Sequence, residues 1–146
     1  MRRPTLAGPL LLLVGCGGGT PKAADSGATV SVAPPIAVRI VSPASGDTVG
    51  PELLVRLSVS GARAVPADGS RREGEGHHHL FVDADPTPGD SVIPKLEGIY
   101  HIGTGADTLR LSGLAPGRHR LIAIFAFGDH VPMPGVAPDT AWIVVR

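Results

Sequence analysis

From residue 36 onwards, apolar residues occur in short runs that Gly and Pro interrupt every few positions, and no stretch shows helical periodicity. The runs are rich in β-branched residues, which is typical of strands. Residues 121–127 are apolar on both faces, as in a central strand buried between two layers. We therefore predict strands at residues 36–41, 53–59, 77–82, 108–111, 119–127 and 141–145, with weaker ones at 92–93 and 99–102.

Short strands separated by turn residues predict an all-β, immunoglobulin-like β-sandwich over residues 36–146. This length is enough for one hydrophobic core and too short for two. Residues 40–49 resemble the first strand and turn of many bacterial immunoglobulin-like domains. Residues 63–76 are polar and contain glycine, so we expect a mobile loop there. Trp142 is expected to pack into the core from the last strand.

The N-terminal segment has a different pattern. Two arginines precede an apolar run over residues 6–14, which is too short to span a bilayer, and the small residue Gly15 stands before Cys16. This segment resembles the lipobox that bacterial lipoprotein signal peptidase recognises. The resemblance implies that residues 1–15 are a signal peptide and that the Cys16 thiol is acylated and becomes the new N-terminus.

Residues 16–35 would then hold the acylated cysteine and a flexible linker, because they are rich in Gly, Ala, Ser and Thr and have no apolar face. A buried thiol in a strand is the alternative for Cys16, but three glycines follow it directly. Acyl chains hold a protein at a membrane without spanning it. Gly17 stands where an aspartate would indicate inner-membrane retention in enteric bacteria. We expect a lipid-anchored protein of the bacterial cell envelope, on the outer membrane or periplasmic face.

Charge and cysteine content restrict the partners. The chain has 13 basic and 13 acidic residues; removal of residues 1–15 takes away two basic and no acidic ones, which leaves 11 against 13 and a charge of about −2. No basic patch with interleaved aromatic residues is present, so the sequence argues against nucleic acid as a partner. Cys16 is the only cysteine, so no disulfide can form within the chain.

The six histidines all fall between positions 77 and 130, and imidazole is the commonest side-chain ligand for transition metals. Residues two apart on a strand point to the same face. His77 and His79 can therefore approach one ion from the predicted strand 77–82. His78 would then face the core, together with the apolar residues that follow it at alternate positions.

Two further histidines stand near predicted strand ends. His101 precedes a Gly-rich turn and His130 follows the predicted central strand, so loops at one end of a sandwich can bring them to His77 and His79. Met133, three residues after His130, adds a soft thioether that would favour copper, Cu(I) in particular. These residues predict a copper or zinc site with the four imidazoles as ligands and Met133 as an optional fifth.

Two other interpretations of these residues stay open. The histidines can hydrogen-bond backbone groups in a structural module or one that binds another envelope protein. His119, at the turn into a predicted strand, is expected to have such a structural role by bonding back to the loop. Asp83, Asp85 and Asp90 carry oxygens that calcium accepts, but their spacing is not that of an EF-hand, and turn capping is the expectation.

The sequence gives little support for an enzyme. It contains no Gly-x-Ser-x-Gly elbow, no His-Glu-x-x-His helix and no paired catalytic cysteine. A histidine beside an aspartate can act as a general base, but no nucleophile accompanies it, so no catalytic residue is assigned. A metalloenzyme with an open coordination position is the third alternative.

Four motifs, in order along the chain, resemble a known family. They are GHHHLFVD at 76–83, YHIGTG at 100–105, LAPGRHRL at 114–121 and GDHVP at 128–132. Over about residues 38–146 the chain is similar to the bacterial domain of unknown function 4399, a family of exported and often lipid-anchored proteins. The resemblance implies no established activity. Relatives usually carry histidine where this chain has Met133, and glutamine where it has Ala106.

Overall fold

The computed structural model describes residues 34–146, so the predicted signal peptide and Cys16 lie outside the described residues. The described part of the chain is built from strands, turns and loops. Among these residues no helix has the length and apolar character needed to cross a membrane. The strands are β1 (Ala37–Ser42), β2 (Thr48–Val49), β3 (Leu53–Ser60), β4 (Arg63–Ala64), β5 (Glu75–Val82), β6 (Ile99–Ile102), β7 (Thr108–Leu111), β8 (Gly117–Ala126) and β9 (Asp139–Val145).

Two sheets form a sandwich. The smaller sheet has the order β1-β3-β7, and the larger has the order β2-β9-β8-β5-β4, with β6 also paired to β5. Strands such as β3 and β9 alternate buried and exposed residues, so each presents one apolar face to the other sheet. The core includes Val38, Val55, Leu57 and Leu111 from the smaller sheet and Leu80, Leu121, Phe125 and Ile143 from the larger. The predicted all-β, immunoglobulin-like sandwich is confirmed.

The larger sheet is also covered on its outer face. A second buried cluster contains Phe81 from β5, Ile122, Ile124 and Ala126 from β8, and Ile93 from the connection between β5 and β6. Because this connection packs over the sheet, β5 and β8 are buried on both faces, as predicted for the central strand. The candidate site lies on this covered outer face.

Three expectations about the connections and short strands were wrong or incomplete. The short strands β2 and β4 were not predicted. Residues 92–93 form no strand: Ile93 is 5% exposed and lies in the loop, where its N–H donates to the carbonyl of His130 at 2.8 Å. Residues 63–76 were expected to be a mobile loop, but Arg63 and Ala64 pair in parallel with the start of β5, which itself begins at Glu75.

Trp142 does not lie in the core, contrary to expectation. The alternation of β9 places Ala141, Ile143 and Val145 inwards, so Trp142 points outwards and is 40% exposed. The guanidinium carbon of Arg118 lies 4.2 Å from the centre of the indole ring. Trp142 therefore stacks with a cation on the surface of the larger sheet.

His119 has the structural corner role that the sequence predicts. Its Nδ1 lies 2.6 Å from a carboxylate oxygen of Asp83, and its Nε2 lies 2.8 Å from the carbonyl oxygen of Ala115. Asp83 also accepts a hydrogen bond from the backbone N–H of Arg120 at 2.8 Å, and Asp85 accepts one from the guanidinium of Arg120 at 2.6 Å. Asp83 and Asp85 thus bond to turn and strand groups, as expected of capping residues.

These contacts predict a pH-dependent contribution of His119 to stability. The Ala115 carbonyl and the Asp83 carboxylate raise the pKa of His119 because both ring nitrogens meet acceptors. A raised pKa stabilises the fold below the unfolded value of about 6.5, and that contribution disappears as the pH rises through the folded value. We expect His119→Gln to lower the free energy of unfolding more at pH about 6 than at pH about 9, measured by urea denaturation. An equal loss at both pH values would contradict this role.

Candidate metal centre

The central strand β5 carries three consecutive histidines whose side chains alternate between its two faces. His77 and His79 point to the outer face of the larger sheet, on the same side as Phe81. His78 points to the inter-sheet core, as predicted, where its ring packs against Phe125 with the ring centres 5.1 Å apart. The three histidines are 0 to 2% exposed. Two imidazoles are therefore fully buried on the covered outer face.

The neighbouring strand β6 brings a third imidazole to this pair. His101 lies directly opposite His79 in the antiparallel pairing of β5 with β6. Its ring folds over Gly103, where any Cβ would overlap the imidazole. Gly103 therefore leaves the space that His101 needs to turn towards the β5 histidines.

His130 reaches the same point from the turn that follows β8. Its N–H donates to the carbonyl of Phe127 at 2.9 Å, and its φ of 69° lies in the left-handed region, which is uncommon for a residue with a Cβ. Its carbonyl accepts the N–H of Ile93 at 2.8 Å. The turn and the connection between β5 and β6, residues 83–98, which we call the covering loop, together hold His130 in this conformation.

The four imidazoles converge on one point. The Nε2 atoms of His77 and His79 are 2.9 Å apart, and those of His101 and His130 are 3.1 Å apart. One ring nitrogen from each residue lies within 4.8 Å of all the others. Zn–N bonds of about 2.0–2.1 Å in a tetrahedron place nitrogens roughly 3.3 Å apart, so the widest pair would have to approach by about 1.5 Å. With that adjustment, the four histidines could hold one metal ion.

Burial keeps the imidazoles of His77 and His79 neutral. Desolvation, with smaller contributions from the neighbouring imidazoles, lowers the pKa of His77 to about 4 and that of His79 to about 3. Desolvation also lowers the pKa of His101, followed by the effects of His130 and Lys95. Metals bind the neutral form of imidazole, so His77 and His79 are in the required protonation state at neutral pH.

The two buried imidazoles are poorly satisfied by protein contacts. His77 and His79 share one hydrogen-bond contact through Nε2, and their Nδ1 atoms have no partner among the described residues. Buried polar atoms normally have partners, so a purely structural role leaves this pair incompletely bonded. A metal ion would satisfy the Nε2 atoms. Metal ligands usually also donate their other ring nitrogen to an acceptor, and the Nδ1 atoms here depart from that pattern.

A third loop, residues 66–71, which we call the bridging loop, contacts both the turn that follows His101 and the turn that carries His130. The N–H of Ala67 donates to the carbonyl of Gly103 at 2.9 Å, and the N–H of Gly69 donates to the carbonyl of Gly128 at 3.1 Å. Arg71 forms an ion pair with Asp129, next to His130. The bridging loop therefore links the backbone just after His101 to the backbone just before His130.

A cavity of about 240 Å³ lies beside the imidazoles. Its walls are His79, Ile93, Pro94, Lys95, Ile99, His101 and His130. Met133, expected as an optional fifth ligand, is not part of these walls. Its N–H donates to the carbonyl of Phe125, and its side chain, 5% exposed, packs in the inter-sheet core.

The sequence predicts all four histidines of the cluster but not the residues around it. The bridging loop was not recognised as part of the site, although its Asp and Gly residues indicate a defined turn. Gly103, two residues after His101, is a position where a missing Cβ can matter. Lys95 is one of two lysines in the chain, but its position gave no sign that it faces the site.

Comparison with known families agrees with the motif resemblance. A family model described as Domain of unknown function (DUF4399) matches residues 55–146, more than half of the chain. The chain belongs to this family. The DUF4399 match begins within β3 and includes the four histidines of the site, whereas the motif resemblance begins at about residue 38. No curated protein matches the sequence significantly.

Solved structures similar to this DUF4399 protein are distant. The fibronectin(III)-like modules of CbhA from Clostridium thermocellum are 16% identical, with a TM-score of 0.43 over 75% of this chain and 95% of theirs. The PKD domain of human KIAA0319 is 15% identical, with a TM-score of 0.40 over 86% and 91%. The extracellular domain of the putative one component system BT4673 from B. thetaiotaomicron is 12% identical, with a TM-score of 0.42, and the match covers 77% of this chain and 15% of that one.

The buried imidazoles predict acid sensitivity of the metal-free DUF4399 domain. Because the pKa values of His77 and His79 are about 4 and about 3 when folded, the unfolded chain takes up protons first as the pH falls below about 6.5. The contribution of these two histidines to the free energy of unfolding should be fully present above pH about 6.5 and should decline as the pH falls towards about 5. This interval lies above the pH range in which ordinary carboxylates titrate. Urea denaturation across this interval measures the decline.

Imidazole NMR signals provide the direct control. The signals of His77 and His79 should not titrate above pH about 5, whereas the signal of His119, whose pKa is raised, should titrate above about 6.5. Titration of the buried pair near pH 6.5 would show that burial does not keep these rings neutral.

Proposed function

We propose that this DUF4399 domain binds one transition-metal ion, copper or zinc, through His77, His79, His101 and His130. The observation that supports it is the approach of four ring nitrogens, contributed by β5, β6 and the turn after β8, to within 4.8 Å of one another. The low pKa values of His77 and His79 add to this, because a neutral imidazole binds a metal without first losing a proton.

The donor set favours particular metals. Ca²⁺ and Mg²⁺ prefer oxygen ligands, whereas imidazole suits zinc, copper, iron and nickel, with affinity highest for Cu²⁺ in the divalent series. With Met133 in the inter-sheet core, no thioether joins the four nitrogens. The site therefore suits Cu²⁺ or Zn²⁺ better than the Cu⁺ that a methionine ligand would favour.

We propose further that the domain acts at a membrane surface of the bacterial cell envelope. This proposal rests on the sequence around Cys16, with its short apolar run and small residue before the cysteine. A lipid anchor and linker would hold the metal-binding domain near the outer membrane or periplasmic face. The role would then be to bind or hold a metal ion outside the cytoplasm.

The metal proposal is tested by titrating metal-free protein with Cu²⁺ and Zn²⁺ in a calorimeter. We expect one ion per chain. His101→Ala should lower the affinity by at least about tenfold, since even loss of an outer-sphere partner costs roughly 10- to 100-fold. His101 is exposed, so this variant should fold. His119→Gln, which removes a histidine outside the cluster, should leave the affinity unchanged.

Gly103→Ala adds a second variant that keeps all four imidazoles. Its new Cβ displaces the ring of His101, so it should also weaken binding if the geometry of the cluster matters. Unchanged affinity in both His101→Ala and Gly103→Ala would reject the metal site.

In that case the second candidate, a structural or protein-interaction module of the envelope, would account for the cluster. The Nε2 distances of 2.9 and 3.1 Å, which are also ordinary hydrogen-bond lengths, favour this candidate. Envelope crosslinking should then recover one dominant partner with or without a chelator. Recovery that depends on metal would argue for the four-histidine site instead.

The anchor is tested separately. Cys16→Ser removes the thiol that would be acylated, so the protein should move from the membrane fraction to the soluble envelope fraction and lose incorporation of labelled palmitate. His119→Gln is the matched control, because it lies in the β-sandwich and leaves Cys16 intact. Unchanged fractionation of Cys16→Ser would argue against lipidation.

A further inference from the structure

The cavity beside the histidine cluster opens onto three of the four imidazoles. Its walls include His79, His101 and His130 on one side, and residues of the covering loop and β6 on the other. A metal bound to the cluster would therefore face this space. Cu²⁺ takes square-planar or tetragonal arrangements of nitrogen and oxygen ligands, so a Cu²⁺ ion with four nitrogen ligands has room for a further ligand from the cavity.

The remaining walls have a simple chemistry. Ile93, Pro94 and Ile99 provide apolar surface, and Lys95 provides the single charged side chain. No acidic residue is among the lining residues. Small-molecule sites commonly combine apolar walls with a few polar groups that fix orientation. A bound divalent ion and the Lys95 ammonium are both positive, so they select an anionic group.

The size of the cavity limits what can enter. Its volume of about 240 Å³ is below the roughly 300–1,000 Å³ of sites that hold drug-sized ligands. A molecule with a few carbon atoms fits such a space.

We propose that this cavity binds a short-chain carboxylate whose carboxylate group contacts the bound metal and Lys95 and whose carbon chain lies against Ile93, Pro94 and Ile99. This inference rests on the proposed metal site, because the metal supplies most of the positive charge. The domain would then have a second ligand, which reaches the metal from the side of the covering loop.

The test uses the full chain in detergent, first loaded with Cu²⁺ and then titrated with sodium acetate, propionate and butyrate. Carboxylate binding to the metal should shift the visible absorption band and the electron paramagnetic resonance spectrum of Cu²⁺. Affinity should rise about fourfold for each added methylene that the apolar walls bury. Butylammonium chloride, which has the same chain and the opposite charge, should give no shift.

Two variants separate the roles of the walls. Lys95→Met keeps most of the side-chain length but removes the charge, and should weaken butyrate binding by about two- to fivefold, the range for an exposed ion pair, while the protein still takes up Cu²⁺. Arg110→Gln on β7 of the other sheet is the control for lost charge and should have no effect. Ile99→Ala should reduce the gain from acetate to butyrate.

The outcomes distinguish this inference from the metal proposal. Failure of the full chain to take up Cu²⁺ overturns both. Uptake of Cu²⁺ with no spectral shift on adding butyrate overturns the carboxylate site alone and leaves the four-histidine centre in place. A shift that is equal for acetate and butyrate, and equal in Lys95→Met, shows an ordinary anion on an open copper ion and also overturns the assigned cavity.

Discussion

The burial of both faces of β5 is the constraint on which the site depends. A central strand normally meets this constraint with apolar side chains on both sides. In β5 the inward face carries Leu80 and Val82 beside His78, while the outward face carries Phe81 and two imidazoles. Covering these imidazoles removes them from water, which lowers their pKa values and keeps them neutral. The same burial that completes the fold therefore leaves these two rings in the protonation state that a metal ion would require.

The apolar clusters that hold the sheets together do not include the four histidines of the site. The inter-sheet core contains large buried residues from both sheets, and a second apolar cluster covers the outer face. Structural metals are usually needed by domains too small to build such a core. The imidazoles are instead placed by backbone contacts: the register of β5 with β6, the turn at His130, and the bridging loop between Gly103 and Gly128. A metal ion would then bind to imidazoles that these backbone contacts already hold close together.

Strand alternation explains why part of this arrangement could be predicted. A two-residue period places His77 and His79 on one face and His78 on the other, and the structure confirms the inward position of His78. The position of His101 depends on the register between β5 and β6, which no local pattern encodes. Trp142 was misplaced for a related reason, because shifting a strand's phase by one residue exchanges its two faces.

Loops were harder to predict than strands. Residues 63–76 have the polar composition of a mobile loop, yet Gly69 and Ala67 make backbone hydrogen bonds to two other loops. Such contacts depend on residues far away in sequence, so composition alone cannot show them. Ile93 was predicted to lie in a strand because it is apolar, but it belongs to the covering loop and is buried against the outer face of the larger sheet rather than by strand pairing. Burial and strand pairing produce the same local signal in a short apolar run.

The charge of a bound ion gives the last constraint. Four neutral imidazoles would leave a divalent ion with its full charge in a partly buried place, which is unfavourable without a counter-charge. The nearest carboxylate in sequence to the cluster, Asp129, is paired with Arg71, and Lys95 adds a positive charge to the cavity. The exposed side of His101 is where water or an anion can approach. An ion held by the four imidazoles would therefore be stabilised by an anionic ligand that reaches it from that side.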